Sequence, residues 1–186
     1  MLIDNSFLYA NIIVLHIKRK LSKFTYIQII KSNKMKKLQF KKEIHATAQK
    51  VYEMMLGLKD KSTYEHWTSA FNPTSTYEGS WDKGSKIYFT GTDENGKKGG
   101  MVSAIEEHQP ARFVSIRHYG FLDGDTEITT GEQVEKWAGG HENYSYQENN
   151  GMTTVTVDMD TVDEYLDYFN NTYPAALDKL KEISER

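Results

Sequence analysis

Leu166, Phe169, Tyr173, Ala176, Leu177, Leu180 and Ile183 recur at three- and four-residue steps near the C-terminus. They draw an apolar stripe about five turns long down one side of a helix. A stripe of that length must be covered by a partner surface of similar extent, so it constrains everything upstream. Asp163, Glu164 and Asp167 stand at its start and Lys179 and Lys181 near its end, the charge order a helix dipole favours. Pro174 falls inside the stripe. It removes one backbone donor and crowds the carbonyl four residues earlier, so a kink is expected there. A stop is not expected, because the stripe keeps its phase across the proline.

The upstream sequence supplies strands. Leu38 to Ile44 reads as a strand, and Thr47 suits the N-cap of a helix whose stripe is Val51, Met55 and Leu58, weakened near its end by Gly57. Ser62 or Thr63 is placed to cap a second short helix carrying Tyr64, Trp67 and Phe71, which stops near Asn72-Pro73. Strand-length runs follow at Thr74 to Trp81, Ser85 to Thr92, Lys98 to Glu107 and Ala111 to Tyr119. Asp82-Lys83-Gly84, Asn95-Gly96 and Gln109-Pro110 punctuate them, Asn-Gly being a strong hairpin signal. Asp123-Gly124-Asp125 opens a polar excursion to about Gly140, with a helical turn at Glu132 to Trp137. Strands resume at His141 to Glu148 and Met152 to Met159, where Val155, Val157 and Met159 share a face. The fold class is therefore α+β: one strand, two short helices, six consecutive strands and the long helix. Hairpin-linked strands make an antiparallel sheet, and a sheet of that size twists. The sheet is expected to wrap the helix and leave space beside it toward one end.

Charge separates two regions. Residues 1–34 carry six basic residues against one acid, +5, and the remainder carries 17 basic and 25 acidic residues, −8. An acidic body repels phosphate backbones, which argues against a nucleic-acid partner. The first 34 residues hold seven of the thirteen isoleucines and no Gly, Pro or Glu. The apolar run Phe7 to Ile17 precedes Lys18-Arg19-Lys20, the reverse of a secretory signal. It is also too short for a membrane span, which needs about 20 residues. The expectation is an upstream start-site artefact, with Met35 the true start of the 35–186 domain. A disordered extension and a basic amphipathic membrane anchor are the alternatives. The chain has no cysteine, which removes disulfides and thiolate chemistry and fits a cytoplasmic location.

The order of elements, together with particular residues, resembles the START-like superfamily, also called SRPBCC or Bet v 1-like. Within it the chain is most similar to bacterial relatives of the C-terminal domain of the Hsp90 ATPase activator. The resemblance is carried by Ala48-Gln49-Lys50-Val51-Tyr52, Tyr64-Glu65-His66-Trp67, Gly79-Ser80-Trp81, Gly84-Ser85-Lys86-Ile87-Tyr88-Phe89, Gln109-Pro110-Ala111-Arg112 and Ala176-Leu177-Asp178-Lys179-Leu180-Lys181. It implies a helix-grip fold with a cavity between sheet and long helix. Members include lipid and hormone carriers, aromatase/cyclases and a co-chaperone domain, so the fold alone does not choose a function. The chain is expected to lack the N-terminal domain through which the eukaryotic activator first engages its chaperone.

Aromatic residues dominate the candidate site: three Trp, ten Tyr and six Phe lie between Met35 and the end. Trp67, Trp81, Tyr88, Tyr119, Tyr144, Tyr146, Phe169 and Tyr173 fall on elements expected to border the cavity, each with ordinary core packing as the alternative. Tyr and Trp pair an apolar body with one polar handle, which suits a greasy pocket with a few orienting hydrogen bonds. His66, beside Trp67, and the strand-end run Arg117-His118-Tyr119 are the polar candidates. Arg117 and Tyr119 share one strand face and His118 takes the other. An inward Arg117 would pair with a ligand carboxylate or an acid such as Glu78; otherwise it lies on the outer face. The histidines His45, His66, His108, His118 and His141 show no metal-ligand spacing, and there is no nucleophile elbow or phosphate loop. No cofactor is expected. The leading expectation is a non-catalytic domain binding a small hydrophobic or amphipathic ligand. A chaperone-binding interaction module is the alternative, and a cyclase-type enzyme a third.

Overall fold

The computed structural model describes residues 35–186. The readings made for residues 1–34 lie outside the described residues. The element order is β1 (Lys36–Ile44), α1 (Ala48–Leu56), α2 (Lys61–Thr68), β2 (Thr76–Gly79), β3 (Lys86–Thr92), β4 (Lys98–Gln109), β5 (Phe113–Asp123), β6 (Thr126–Ile128), α3 (Glu132–Glu135), β7 (His141–Asn149), β8 (Met152–Thr161), a 3-10 turn (Asp163–Tyr165) and α4 (Leu166–Ser184). All strands join one antiparallel sheet ordered β1-β8-β7-β5-β4-β3-β2, with β6 paired to β5. The sheet is curved around α4, and this α+β helix-grip arrangement is the one expected from the sequence. Two register shifts in β4 against β5, at Val102/Ser103 and Ile105/Glu107, add the local twist and bend that curvature requires.

Local chemistry sets the boundaries. Thr47 caps α1 by accepting from the Lys50 amide at 3.3 Å. Gly57 ends α1 in the left-handed region at φ 65°, so Leu58 lies beyond the helix and is 41% exposed. The buried face of α1 is instead Val51, Tyr52, Met55 and Leu56. The cap of α2 is Asp60, which accepts from the Ser62 amide at 3.0 Å, not Ser62 or Thr63. Thr63 is already inside the helix, and its hydroxyl donates to the Met54 carbonyl at 2.8 Å. The expected polar excursion after Asp123 is in fact a tight hairpin. Gly124, at φ 65°, takes the left-handed slot of the two-residue turn between Asp123 and Thr126. The β6 strand it creates has only three residues, too few to show a period.

Alternation on the strands puts Ile87, Ile105, Val114, Ile116, Val155 and Val157 on the concave face, all fully buried. Against them lie Tyr173, Ala176, Leu177 and Leu180 of α4. The helix runs through Pro174, which sits on its exposed side with Asn170 four residues earlier. The Asn170 carbonyl that loses its intrahelical donor therefore faces water. At the helix's C-terminal half, Lys42 pairs with Asp178 at 2.5 Å and Lys181 donates to the Glu43 carbonyl at 2.7 Å. These contacts tie α4 to β1.

Leu177 fills the centre of the grip. Its replacement by Ala is expected to cost about 2–5 kcal/mol of unfolding free energy through lost transfer energy and a residual cavity. Urea denaturation followed by circular dichroism measures it. A loss under about 1 kcal/mol would mean that the helix is not seated against the sheet.

Candidate functional site

The concave face is largely apolar and aromatic, and at one place it carries a carboxylate. On β7, Glu142, Tyr144 and Tyr146 share the inward side, and Glu142 stands between Ile116 on β5 and Met159 on β8. A carboxylate in such surroundings loses its hydration and must find donors. Three side chains supply them. Tyr144 Oη donates to Glu142 Oε1 at 2.5 Å, and Tyr173 Oη, reaching down from α4, donates to the same oxygen. His118 Nε2 stands 3.3 Å from Oε2. The Glu142 and His118 side chains are 16% and 13% exposed. The other ring nitrogen of His118, Nδ1, meets Ser103 Oγ at 2.8 Å. Because Nε2 faces a carboxylate it carries the proton, and in the neutral ring Nδ1 accepts from the serine hydroxyl.

Burial alone would push the Glu142 carboxyl up, but the His118 hydrogen bond and charge, with the two tyrosine hydroxyls, outweigh it and hold the group below the usual glutamate range. Burial, reinforced by the nearby Glu142 charge, drives the Tyr144 and Tyr173 hydroxyls well above theirs. The centre is thus an ionised carboxylate held by neutral phenols. Ser103, His118 and Glu142 form a chain like that of a hydrolase, yet Ser103 is 0% exposed and lies between strands. Its hydroxyl cannot meet a substrate, and its role is to orient the imidazole.

Rings surround this centre. Trp67 meets Tyr144 edge-on at 6.4 Å, Phe89 meets His118 at 6.2 Å, and Tyr173 is stacked on Phe40 at 4.6 Å. Trp67 Nε1 is satisfied by the Met55 carbonyl at 2.8 Å. Trp81 Nε1 is buried without a hydrogen-bond partner, among the rings of Tyr64, Tyr77 and Phe89. An orphaned buried donor is uncommon in proteins and marks a place where an acceptor would be welcome.

Of the residues singled out in the sequence, Trp67, Trp81, His118, Tyr144, Tyr146, Phe169 and Tyr173 lie on the interior side. The other four are elsewhere. His66 is on the exposed side of α2. Tyr88, Arg117 and Tyr119 are on the convex face of the sheet. Tyr88 donates to Glu127 at 2.5 Å, and Arg117 Nε donates to Glu106 at 2.5 Å with its guanidinium 5.3 Å from the Tyr119 ring centre. Strand phase is the reason: with Ile116 and His118 inward, Arg117 and Tyr119 must point outward. Glu78, suggested as an inward partner for Arg117, pairs with Lys98 at 2.6 Å instead. Glu142 and Ser103 were not singled out. Glu142 was legible all the same, because it lies two residues before Tyr144 and shares its face by the strand period.

Two surface recesses also stand out among the described residues, and both open on the convex side. One of about 310 Å³ is bordered by Lys37, Gln39, His141, Asn143, Asp158 and Asp160. Another of about 190 Å³ is bordered by Glu78, Tyr88, Lys98, Leu122, Asp125 and Glu127. Neither lies between the sheet and α4. Among the described residues no helix is long and apolar enough to cross a membrane, and no three His, Asp or Glu side chains are grouped to hold a metal ion.

No known family model and no curated protein matches the chain. Solved structures do. A protein of Nitrosomonas europaea superposes with a TM-score of 0.60 at 14% identity, covering 80% of this chain and 93% of that one. A protein of Arthrobacter aurescens gives 0.59 at 14% identity over 80% and 85%. The Aha1 dimer of Colwellia psychrerythraea gives 0.57 at 20% identity over 81% and 97%. At these identities the likeness is one of fold alone, a curved sheet around a C-terminal helix.

The ionised Glu142 gives a sign for acid stability. A folded-state pKa held below the unfolded value stabilises the fold above the unfolded pKa, about 4.3, and that contribution disappears as pH falls through the folded value. Between about pH 5 and pH 3 the wild type should lose unfolding free energy more steeply than Glu142→Gln, whose side chain does not titrate. Urea titrations at stepped pH measure the difference, and parallel slopes would contradict the assignment.

Proposed function

We propose that residues 35–186 are a cytoplasmic, non-catalytic binding domain of the START-like, Aha1-related kind. Its ligand, a small hydrophobic or amphipathic molecule, is taken up between the sheet and α4. The observation that carries this reading is a charged, hydrogen-bonded Glu142 centre set into an otherwise apolar and aromatic wall, the pattern of a pocket that positions a ligand by a few polar groups. The unpartnered Trp81 indole supports it. The ligand-facing residues are Trp67, Trp81, Tyr144, Phe169 and Tyr173, joined by His118 and Glu142. His66, Tyr88, Arg117 and Tyr119 have no part in that wall. Catalysis is disfavoured because the one serine in the buried relay is inaccessible.

A second reading is an interaction module that works through its outer surface on a chaperone. Two observations favour it: the likeness to the Aha1 dimer, and a concave face already closed by side chains such as Trp67 and Tyr173. Native mass spectrometry of freshly purified protein, and quenching of Trp67 and Trp81 fluorescence by a panel of fatty acids, naphthols and aryl amines, separate the two. A bound adduct or saturable quenching is expected. With ligand at about 100 times its Kd, stability should rise by about 2.7 kcal/mol. Absence of adduct and quenching, together with a stimulated ATPase rate of the host Hsp90-type chaperone, would replace the first reading by the second.

A further inference from the structure

The charge of Glu142 is incompletely matched. An ionised carboxylate offers about four acceptor positions. Oε1 takes both tyrosine hydroxyls, while Oε2 has only His118 Nε2 at 3.3 Å, long beside the roughly 2.7–2.9 Å of a charge-assisted bond. Among the described residues His118 is the only group in contact with Glu142 that is able to carry a positive charge. The rest of its surroundings are Ile116 and Met159 on the flanking strands and the aromatic rings already described, whose faces attract cations.

A run of touching aromatic rings leads from the surface to this centre. Tyr165 and Tyr168, on the 3-10 turn and the first turn of α4, are 47% and 44% exposed. Both touch Phe169, with ring centroids at 6.4 and 5.1 Å. Phe169 in turn meets Tyr173 at 6.1 Å, and Phe71 meets the same ring at 4.9 Å. Tyr173 ends the run on Glu142. Phe71 and Phe169 are only partly buried, so they are the groups to be displaced by an incoming molecule. The rim at the outer end is acidic: Asp163, Glu164 and Asp167 are all exposed there, with Asp163 partnered by Lys36 at 3.5 Å.

From rim to centre the full charges are negative apart from Lys36, which partners Asp163 at the rim, and the walls are largely aromatic. We propose that the ligand of this site is an organic cation, an amine on an aromatic or aliphatic body, whose ammonium is held by Glu142 Oε2 and the surrounding ring faces. The acidic rim raises its local concentration and steers it inward, and it repels carboxylates. This rests on the reading of residues 35–186 as a binding domain and adds the charge class of what is bound.

Three probes with one aromatic body test it: 2-phenylethylamine, 2-phenylethanol and phenylacetate, titrated calorimetrically into the full chain near neutral pH and at low salt. The amine should bind at least about tenfold more tightly than the alcohol, with no binding heat from phenylacetate. In Glu142→Gln the amine-to-alcohol ratio should fall to within about threefold. Should that variant fail to fold by circular dichroism, the rim variant Glu164→Gln/Asp167→Asn carries the test. Its association rate for the amine should drop several-fold and lose its salt dependence. Equal binding of amine and alcohol by the wild type, an undiminished preference in Glu142→Gln, or an unchanged association rate in the rim variant would overturn the cation assignment. The first of these would leave the binding-domain reading standing. No heat from any of the three probes overturns the assignment as well, and only when joined to a silent quenching panel does it remove the binding domain itself.

Discussion

The seating of α4 in the concave face governs the rest of the molecule. Ala176, Leu177 and Leu180 cover the fully buried Val and Ile side chains of the sheet, and nothing else in the described chain offers a face long enough to do so. For the helix to lie there the sheet must bend. The shifted registers between β4 and β5 supply the bend. Pairing β1 with β8 brings the first strand beside the last, and Lys42 and Lys181 then latch α4 to β1. The two short helices close the space that remains, held to each other by the Trp67–Met55 hydrogen bond. The fold is thus one packing problem solved from two sides: a stripe that needs cover, and a sheet too twisted to stay flat.

The two faces of the sheet treat charge in opposite ways. On the convex face Lys37–Asp160, Lys86–Glu127, Lys98–Glu78 and Arg117–Glu106 form exposed or half-exposed pairs. Such pairs contribute at most about 1 kcal/mol each and weaken in salt. They keep the outer surface wet and decide little else. On the concave face a single carboxylate is enclosed by phenols, an imidazole and rings. There the dielectric is low, so the same unit of charge has a far larger effect on whatever approaches it.

Long periodic elements were legible in the sequence. The α4 stripe, the strand of Val155, Val157 and Met159, and the Thr47 cap all stand where their patterns put them, because each pattern repeats often enough to exclude competitors. Short elements were not legible. β6 has three residues, and its Gly124 turn reads as loop unless the partner strand is already known. The α2 cap was displaced by two residues because Asp60, Ser62 and Thr63 are all capable caps, and only the tertiary position of Thr63, bonded to Met54, decides among them. The strand carrying Arg117, His118 and Tyr119 had three amphipathic side chains in a row, each at home on either face. Its phase was fixed by neighbours, with Ile116 packed against Ile105 and His118 against Ser103, and no local pattern reports that. Glu142 escaped notice for a different reason. A glutamate in a strand is ordinarily read as facing solvent, although the tyrosines two and four residues later already marked its side as the inner one.

Burying Glu142 does not serve the stability of the grip. Taking a carboxylate out of water costs several kcal/mol, and its attraction to donors recovers that only when every lone pair is well matched. Here one oxygen is doubly bonded by hydroxyls while the other faces an imidazole at long range. An apolar side chain of similar volume, with phenylalanines for the tyrosines, would fill the same space at less cost, as replacement of buried ion pairs by packed hydrophobes often does. The arrangement therefore makes sense as a site: departures from locally consistent packing concentrate where a protein binds or reacts. The incomplete matching that weakens the centre as a structural element is also what leaves it free to attract a donor from outside. The run of rings from Tyr165 and Tyr168 passes through the partly buried Phe71 and Phe169 before it reaches the fully buried Tyr173, so an incoming donor has side chains that can yield ahead of those that cannot.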